Sequence, residues 1–437
     1  MWRFTILLLF LSSLLSAQEV YDLKRCIELG LERNYDIKIV RNNQEIADNN
    51  FSIGNAGYLP QLDLDGSYSG SLSDREQKLR DVASVSSNNG VHDQRLNTGI
   101  NISWTVFDGF NIQTSYNRLR ELQQVGQLNT RLTIENFISN IAVEYYNYVQ
   151  QNIRLKNLLL AVKLSRERLR IVEARYNIGS MSRLDLQQAK VDFNADSSKQ
   201  IKQYEILFVS QTRLNMMMAA DNVEQVLTIT DSIIGFNDAL DKNEIWQKAL
   251  NANSYLLLSQ KEQQLSILEL KAAQSQNYPY LKLNGGYAYT KNIYEVGASD
   301  WQKNIGFNYG LSIGYNLFDG FNRKRKQKNA KIQIQNTALQ YQHLQLSVEA
   351  DLSNAWMAYK NNIRLQSLEK ENLEAAHENY DIAIERYKLG DLSGIELREA
   401  QNSLLEAEER LVQAEYSIKL CEISLIQISG ELVSYVR

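Results

Sequence analysis

The feature that most constrains the fold of this chain is an internal repeat. The sequence Phe-Asp-Gly-Phe-Asn occurs at 107–111 and again at 318–322, an offset of 211 residues. The segments 175–189 and 386–400 resemble each other at the same offset. Self-similarity that keeps one order along the chain indicates a structural unit that is present twice.

The two prolines of the chain align at a different offset. Pro60 and Pro279 lie 219 residues apart, so the first copy has extra residues between Pro60 and Asp108. So few prolines leave long helices uninterrupted. The predicted organisation is a signal peptide at 1–17, a first repeat at 18–218, a connector at 219–242, a second repeat at 243–430 and a C-terminal tail at 431–437.

The first residues predict export from the cytoplasm. A basic Arg3 precedes an apolar run at 4–15, and a small residue, Ala17, ends it. This pattern is typical of a secretory signal peptide and is too short to cross a bilayer as a helix. The net charge is −4, so the chain lacks the basic character of a nucleic-acid-binding protein.

Four segments alternate apolar residues with small or polar ones. A period of two residues is typical of strands with one apolar face. Each run has about 11 residues, the length that crosses a bilayer when tilted. A water-soluble β-sandwich also shows this alternation, but the chain has only four such runs. Strands are predicted at about 60–72, 96–107, 279–291 and 304–318.

Long helices follow each copy of the Phe-Asp-Gly-Phe sequence. In the last one, Leu397, Leu404 and Leu411 repeat every seven residues, and Ala400 and Ala407 occupy a second heptad position. Small residues at that position permit close approach of antiparallel coiled-coil helices. A helix of about 65 residues would be ~100 Å long. Helices are predicted at about 111–176, 182–218, 322–388 and 393–430.

The repeated sequence lies where a strand ends and a helix begins. Its glycine permits a sharp turn, and Asn111 and Asn322 are predicted helix N-caps. Its phenylalanines are expected to pack around the strand–helix junction and give it an apolar environment. The predicted strand–helix junction residues are Pro60, Phe107, Asp108, Gly109, Phe110, Pro279, Phe318, Asp319, Gly320 and Phe321.

Four strands cannot close a membrane barrel by themselves. An open sheet edge facing lipid would leave backbone groups without partners, and the smallest closed barrels have about eight strands. Side chains fill an eight-stranded barrel, whereas the inward residues here are small and polar. We therefore expect a homotrimer with a 12-strand β-barrel and a helical tunnel. The predicted fold class is mainly α with a small β part.

The remaining features favour structural roles over catalysis. The basic run 323–328 is interpreted as an interfacial anchor beside the membrane. A disulfide between Cys26 and Cys421 and two separately packed thiols both fit the sequence. No nucleophile elbow, zinc-binding motif or Walker loop occurs. We therefore predict a protein that is not an enzyme and needs no cofactor or metal.

The whole pattern resembles the TolC family of outer-membrane efflux and secretion channels. The resemblance depends on the spacing from Asn34 to Pro60 and from Asn253 to Pro279, on the Phe-Asp-Gly-Phe junctions, and on the paired segments at 175–189 and 386–400. It implies a trimer in the bacterial outer membrane with a periplasmic helical tunnel and the connector in its equatorial region. It also implies an exit duct for tripartite efflux or type I secretion, with a periplasmic adaptor and an inner-membrane pump of the RND, ABC or MFS type.

The resemblance further implies a gate at the periplasmic tip of the helices. The matching gate and acidic-ring positions are Asp185, Tyr387, Glu396 and Glu399. Leu392 stands where relatives often have a basic residue, so Arg175, Arg183 or Arg386 would have to supply the latch between helices. The implied tip and adaptor-contact residues are Arg175, Tyr176, Gly179, Ser182, Arg386, Tyr387, Gly390 and Ser393.

One alternative function fits the helices. A periplasmic coiled-coil adaptor or scaffold without a barrel would also need long antiparallel helices, but it would leave four amphipathic strands without a role. The sequence does not distinguish drug, metal and protein cargo.

Overall fold

A computed structural model describes residues 20–78 and 85–435. The predicted signal peptide at 1–17 and the last two residues of the tail lie outside these ranges. The strands are β1 (Val20–Tyr21), β2 (Gln61–Lys78), β3 (Val85–Phe107), β4 (Thr228–Ile229), β5 (Tyr280–Ile293) and β6 (Trp301–Gly314). The helices are α1 (Leu23–Arg33), α2 (Tyr35–Asn50), α3 (Asn111–Asn177), α4 (Arg183–Met217), α5 (Lys242–Ala252), α6 (Ser254–Ser275), α7 (Asn322–Leu389), α8 (Gly394–Ser429) and α9 (Leu432–Tyr435).

The chain forms two compact units that do not follow the two sequence repeats. The described part of one unit is 20–43, 127–258 and 341–435, and the other is 44–78, 85–126 and 259–340. Each unit takes segments from both repeats, because helices of the two copies bury their apolar faces in a shared unit. Among the helices that the structure describes, none is long and apolar enough to cross a membrane.

The first unit holds two related apolar cores. In one, Cys26 of α1 is buried with residues of α3 and α4. In the other, Ile245 of α5 is buried with residues of α7 and α8. Cys26 and Ile245 are equivalent at the offset of 219, so the cysteine fills an apolar position. Both Cys26 and Cys421 are free thiols, and burial raises the pKa of Cys26 to about 12.

Two asparagines make the same contacts in the two copies. The amide of Asn34 donates to Met217 O at 3.0 Å, and its side-chain oxygen accepts from Asp36 N at 2.9 Å. The amide of Asn253 donates to Ile428 O at 3.0 Å and accepts from Tyr255 N at 3.1 Å. Each asparagine therefore caps one helix and satisfies a carbonyl at the end of another, where helix ends lack partners.

The second unit contains a four-stranded antiparallel sheet in the order β2-β3-β5-β6. The first hairpin is longer than predicted, since β2 runs to Lys78 and β3 begins at Val85. The apolar alternation stops near Leu72, but the backbone ladder continues through polar residues, and an ion pair between Arg75 and Asp93 joins the two strands. Backbone pairing needs no apolar side chains, which is why the alternation underestimated these strands.

The last strand is shorter than predicted. It ends at Gly314 and not near 318, because its partner β5 begins at Tyr280, which pairs with Gly314. Residues 315–318 therefore have no partner on β5.

One face of the sheet is apolar and exposed. Leu62 pairs with Ile102 and Leu283 pairs with Leu311, so these residues lie on one face. All four are exposed, and Leu62 is 69% exposed. The opposite face presents small and polar residues such as Asn101, and this face is therefore suited to contact with water.

Candidate functional site

Each long helical hairpin of the first unit ends in the same turn. Gly179 follows α3 with φ 76° and Gly390 follows α7 with φ 91°. In both turns the residue after the glycine donates its N–H to the carbonyl five residues earlier, Ser180 to Arg175 at 2.9 Å and Asp391 to Arg386 at 3.0 Å. This is a Schellman helix end, which requires a left-handed residue and so favours glycine.

Each return helix begins with a capping box. The Ser182 hydroxyl accepts from Asp185 N at 3.2 Å, while the Asp185 carboxylate accepts from Ser182 N at 3.1 Å. Ser393 and Glu396 repeat the arrangement, with distances of 3.2 and 2.9 Å. Hydrogen bonds from the Ser393 backbone and hydroxyl hold the pKa of Glu396 below its ordinary value. Two of the predicted gate carboxylates therefore also close the first turn of their own helices.

A single arginine links the two tips. Arg175, at the end of α3, donates from Nη2 to the carbonyl of Lys388 at 2.9 Å and to that of Tyr387 at 3.3 Å. Its guanidinium lies 5.3 Å from the centre of the Tyr387 ring. A cation beside the last carbonyls of α7 is favoured by the helix dipole and by the ring face. Arg386 instead donates to Asp391 O within its own turn at 3.4 Å.

Tyr387 is the centre of a small apolar core between the hairpins. Its side chain is fully buried with Val172, Leu186, Ala383 and Leu397. Burial raises the pKa of its hydroxyl, and that hydroxyl has no hydrogen-bond partner among the described residues. The ring therefore stabilises the tip by packing and not by a hydrogen bond.

Behind this core, two buried ion pairs join helices. Arg168 of α3 pairs with Asp192 of α4. Arg398 of α8 forms a two-pronged pair with Asp196 of α4, with both N–O distances 2.7 Å. The hydrogen bonds to Asp196 raise the pKa of the Arg398 guanidinium. Asp196 is only 1% exposed, so separating this pair would leave a buried charge without a partner.

The strand–helix junctions have matching geometry in the two copies. Gly109 and Phe110 have φ 70° and 69°, and Gly320 and Phe321 have φ 67° and 62°. The left-handed glycine was expected, whereas the left-handed phenylalanine was not, because β-carbon strain disfavours it. In each corner two phenylalanine rings meet edge to face, Phe107 with Phe110 and Phe318 with Phe321.

The predicted N-caps at these corners were wrong. Asn111 and Asn322 are the first residues of their helices. The capping carboxylates come from the repeated sequence itself: Asp108 accepts from Ile112 N at 3.0 Å, and Asp319 accepts from Arg323 N at 2.8 Å. An aspartate satisfies free N–H groups at a helix start and favours the dipole. Pro60 and Pro279 each stand directly before a strand, where a missing N–H costs nothing.

Comparison with known proteins decides the family. The model for outer membrane efflux proteins matches residues 26–216 and 245–431. The chain belongs to the outer membrane efflux protein family. The matched ranges end near the last residues of α4 and α8, so the family's repeated unit corresponds to both copies seen in the sequence.

Individual family members are distant in sequence and similar in fold. BepC of Brucella suis is 20% identical over 412 residues, covering 92% of this chain and 84% of BepC. TolC of Vibrio cholerae is 21% identical over 394 residues, covering 86% of this chain and 82% of that TolC. The CmeC channel of Campylobacter jejuni has a TM-score of 0.75 at 18% identity, covering 93% of this chain and 85% of CmeC.

Membership of the outer membrane efflux protein family settles the location. The protein is an outer-membrane protein whose helices project into the periplasm, as the sequence predicted. The family consists of channel proteins, so the chain is not an enzyme. Its mainly helical fold with a small sheet is the fold of the solved channels of this family.

The buried ion pairs were missed in the sequence, although a signal was present. On α8 the heptad position of small residues is occupied by Ala400, Ala407 and Ala414. On α4 the equivalent residues are Ala189, Asp196 and Gln203, and all three are buried. A carboxylate and an amide at positions that the other copy fills with alanine indicate buried polar contacts.

Proposed function

We propose that this chain is one third of an outer-membrane exit duct for a tripartite efflux or type I secretion system. The duct is passive, and its gate lies at the periplasmic tip of the helices. Membership of an efflux protein family supports this function.

One observation carries the proposal. The four-stranded sheet presents an exposed apolar face, and its outer strands β2 and β6 have no second neighbour among the described residues. A sheet of this kind cannot be stable in lipid, because its edge N–H and C=O groups would lack partners. Pairing β2 of one copy with β6 of the next removes every edge, and three copies give 12 strands. An aqueous lumen then fits the small residues of the polar face.

The oligomeric state and conduction test the duct directly. We expect the purified protein in detergent to have the mass of three chains by light scattering, and the same material to give ion conductance in a planar bilayer. A monomer, or a trimer that does not conduct, would contradict the proposal.

The gate is supported by contacts that join the two hairpins. Moving the hairpin of α3 and α4 away from that of α7 and α8 would break the Arg398–Asp196 pair and the contacts of Arg175. We expect the double variant Asp196→Ala with Arg398→Ala to increase single-channel conductance or open probability. The matched control is Glu167→Gln with Arg170→Gln, an exposed pair on α3 whose side chains are 53% and 75% exposed.

The acidic residues at the tip are proposed to narrow its entrance. Glu396 and Glu399 are both exposed near the start of α8. Three copies would place several negative charges around one opening, which favours cations and their block of the pore. Replacing Glu396 and Glu399 with Gln should reduce block by divalent cations. The control replaces Glu371 and Glu374, an exposed pair of the same spacing on α7, with Gln. Unchanged block in the variant of Glu396 and Glu399 would exclude these two residues from the gate.

The same tips are proposed to contact the periplasmic adaptor, which connects the duct to an inner-membrane pump. Tyr176, at the end of α3, and Ile178 and Leu184, on either side of the first turn, are exposed, and Ile178 is 80% exposed. Exposed apolar residues at a turn are typical of protein contact sites. Crosslinking from a photoreactive residue at position 178, compared with one at an exposed position far from the turn such as Glu205, tests this contact.

A further inference from the structure

A polar cavity lies in the second unit, where β5 begins and where α3 and α7 start. Its volume is about 730 Å³, within the range of about 300–1,000 Å³ that is usual for small-molecule sites. Its lining includes Tyr278, Tyr280, Lys282, Arg323 and Lys326. None of the residues that line this cavity belongs to the proposed gate or to the hairpin tips.

The cavity opens on the polar face of the sheet. Lys282 lies directly opposite Thr105 of β3 and Ser312 of β6 in the strand register. Residues that face each other across a ladder lie on the same side of the sheet. Leu281 and Leu283, on either side of Lys282, lie on the other side, which is the apolar face.

The cavity has more positive than negative charge available for a ligand. Among the described residues, neither Lys282 nor Lys326 forms an ion pair. The two carboxylates of the lining are already engaged, since Asp319 pairs with Arg323 at 3.3 Å and Asp108 accepts from the start of α3. Lys326 donates only a long hydrogen bond, at 3.4 Å, to the neutral Gln276 side chain. Two ammonium groups that have no ion-pair partner among the described residues favour an anion between them.

The basic run 323–328 thus has two sets of members. Arg323 and Lys326 are three residues apart on α7, so they lie on the same helix face, and both line the cavity. Lys324, Arg325 and Lys328 do not line it. Arg323 and Lys326 therefore border a cavity, while the interfacial role of the whole run stays a prediction.

Aromatic rings give the cavity a second chemical character. The Tyr280 ring occupies the space that a β-carbon at Gly314 would need, so the ring is held against the β6 backbone. The Lys282 ammonium lies 5.3 Å from the centre of that ring. Tyr278 is held edge to face against Phe110 at 5.9 Å. Rings that are fixed before binding cost little entropy when a ligand stacks on them.

We propose that this cavity binds aromatic anions, in which a flat ring carries a sulfonate, carboxylate or phosphate group. Lys282 and Lys326 hold the anionic group, and Tyr278 and Tyr280 contact the ring. The site rests on the proposed function only in that cargo would reach it from the lumen of the duct. It identifies one class of compound that would bind to the wall during export.

The test is a binding measurement on the purified full chain in detergent. The probe is 8-hydroxypyrene-1,3,6-trisulfonate, a fluorescent aromatic anion too polar to enter micelles, followed by fluorescence anisotropy. The test variant is Lys282→Gln with Lys326→Gln. The control is Lys291→Gln with Lys303→Gln, which removes the same charge from the same sheet outside the cavity, where Lys303 also lies over a tyrosine ring. Inorganic phosphate and naphthalene-1-sulfonate serve as competitors.

We expect the probe to bind the unmodified protein and to bind about tenfold more weakly to the cavity variant, because both charges that hold the anion are lost. The control variant should bind as the unmodified protein does. Naphthalene-1-sulfonate should compete better than phosphate, because its ring can contact Tyr278 and Tyr280. Absence of binding, or an equal loss in both variants, overturns the site. Conductance without probe binding refutes the site alone, whereas probe binding without conductance refutes the duct alone.

Discussion

The two hairpin tips have the same local structure and different neighbours. Both end in a left-handed glycine and restart with a serine-led capping box. Yet Tyr176 is 38% exposed at the first tip, whereas its equivalent, Tyr387, is fully buried at the second. Arg175 crosses to the other hairpin, whereas its equivalent, Arg386, stays within its own turn. Identical residues in identical turns therefore have different roles, which depend on what packs against them.

The largest expected effect comes from the two tyrosines. Tyr387→Ala should lower the free energy of local opening at the tip by about 3–5 kcal/mol, because it leaves a cavity in a buried core. Tyr176→Ala should change it by about 0.5 kcal/mol or less, as surface substitutions do. Hydrogen exchange of peptides from the end of α7 and the start of α8 measures both.

Tyr387→Phe separates packing from hydrogen bonding at the same position. The Tyr387 hydroxyl has no partner among the described residues, so its removal should leave the opening free energy unchanged or slightly higher. A large loss in the phenylalanine variant would mean that the hydroxyl has a partner in the assembled trimer. Similar losses for Tyr176→Ala and Tyr387→Ala would erase the difference between the tips.

The second expected effect concerns Asp196, a buried acid of the first copy whose equivalent in the second copy is Ala407. Asp196→Ala should destabilise the packing of α4 on α8 by about 3 kcal/mol, because Arg398 is left partly buried without its partner. Ala407, the equivalent residue of α8, has no charge to lose, and Ala407→Ser serves as a control for a small polar change. Thermal unfolding followed by circular dichroism in detergent tests both, and the prediction is wrong if Asp196→Ala unfolds at the same temperature as the unmodified protein.

These differences mark the limit of prediction from the sequence. Turns, caps and strand alternation depend on residues close together in the chain, so the glycines at 179 and 390 and the serines at 182 and 393 were predictable. The burial of Tyr387 and the reach of Arg175 depend on residues about 200 positions away. When the two copies have the same residues, their sequence cannot reveal which of the two tyrosines is buried.

The long first hairpin and the two wrong N-caps have local causes. The hairpin continues past the apolar alternation through backbone pairing and the ion pair of Arg75 with Asp93, and no side-chain period predicts that. At the corners, Asp108 and Asp319 precede the first helical residue by three positions, and their side chains accept hydrogen bonds from the helix start. Asparagine and aspartate are about equally good caps directly before a helix, but here a left-handed Gly-Phe pair places the capping aspartate further upstream.

The third expected effect compares the two arginines. Arg175→Ala should weaken the tip by about 1.5–3 kcal/mol, since it removes charge-assisted hydrogen bonds to two carbonyls at the end of α7. Arg386→Ala should have a much smaller effect, because its one contact is a long bond at 3.4 Å within an exposed turn. Protection of the α7 end against hydrogen exchange distinguishes them, and equal effects would show that Arg175 does not link the hairpins.

The smallest expected effect is a pH dependence at the second tip. Because hydrogen bonds from Ser393 lower the pKa of Glu396 in the folded state, the unfolded carboxylate takes up a proton first as the pH falls. The stabilisation is therefore complete above the ordinary pKa of 4.5 and is lost as the pH falls through the lowered value. Hydrogen-exchange protection at the start of α8 should fall over that window.

Glu396→Gln isolates the charge, because glutamine can still accept from the Ser393 backbone but does not titrate. The variant should keep the capped turn near neutral pH and should lose the acid dependence. If protection in the glutamine variant falls over the same acidic window, a group other than Glu396 titrates there. The charge of Arg386, which also lowers the pKa of Glu396, would then act on a different carboxylate. If protection is already lost at neutral pH, the turn needs the charge itself, so the capping carboxylate at the second tip could not be exchanged for an amide without cost to the fold.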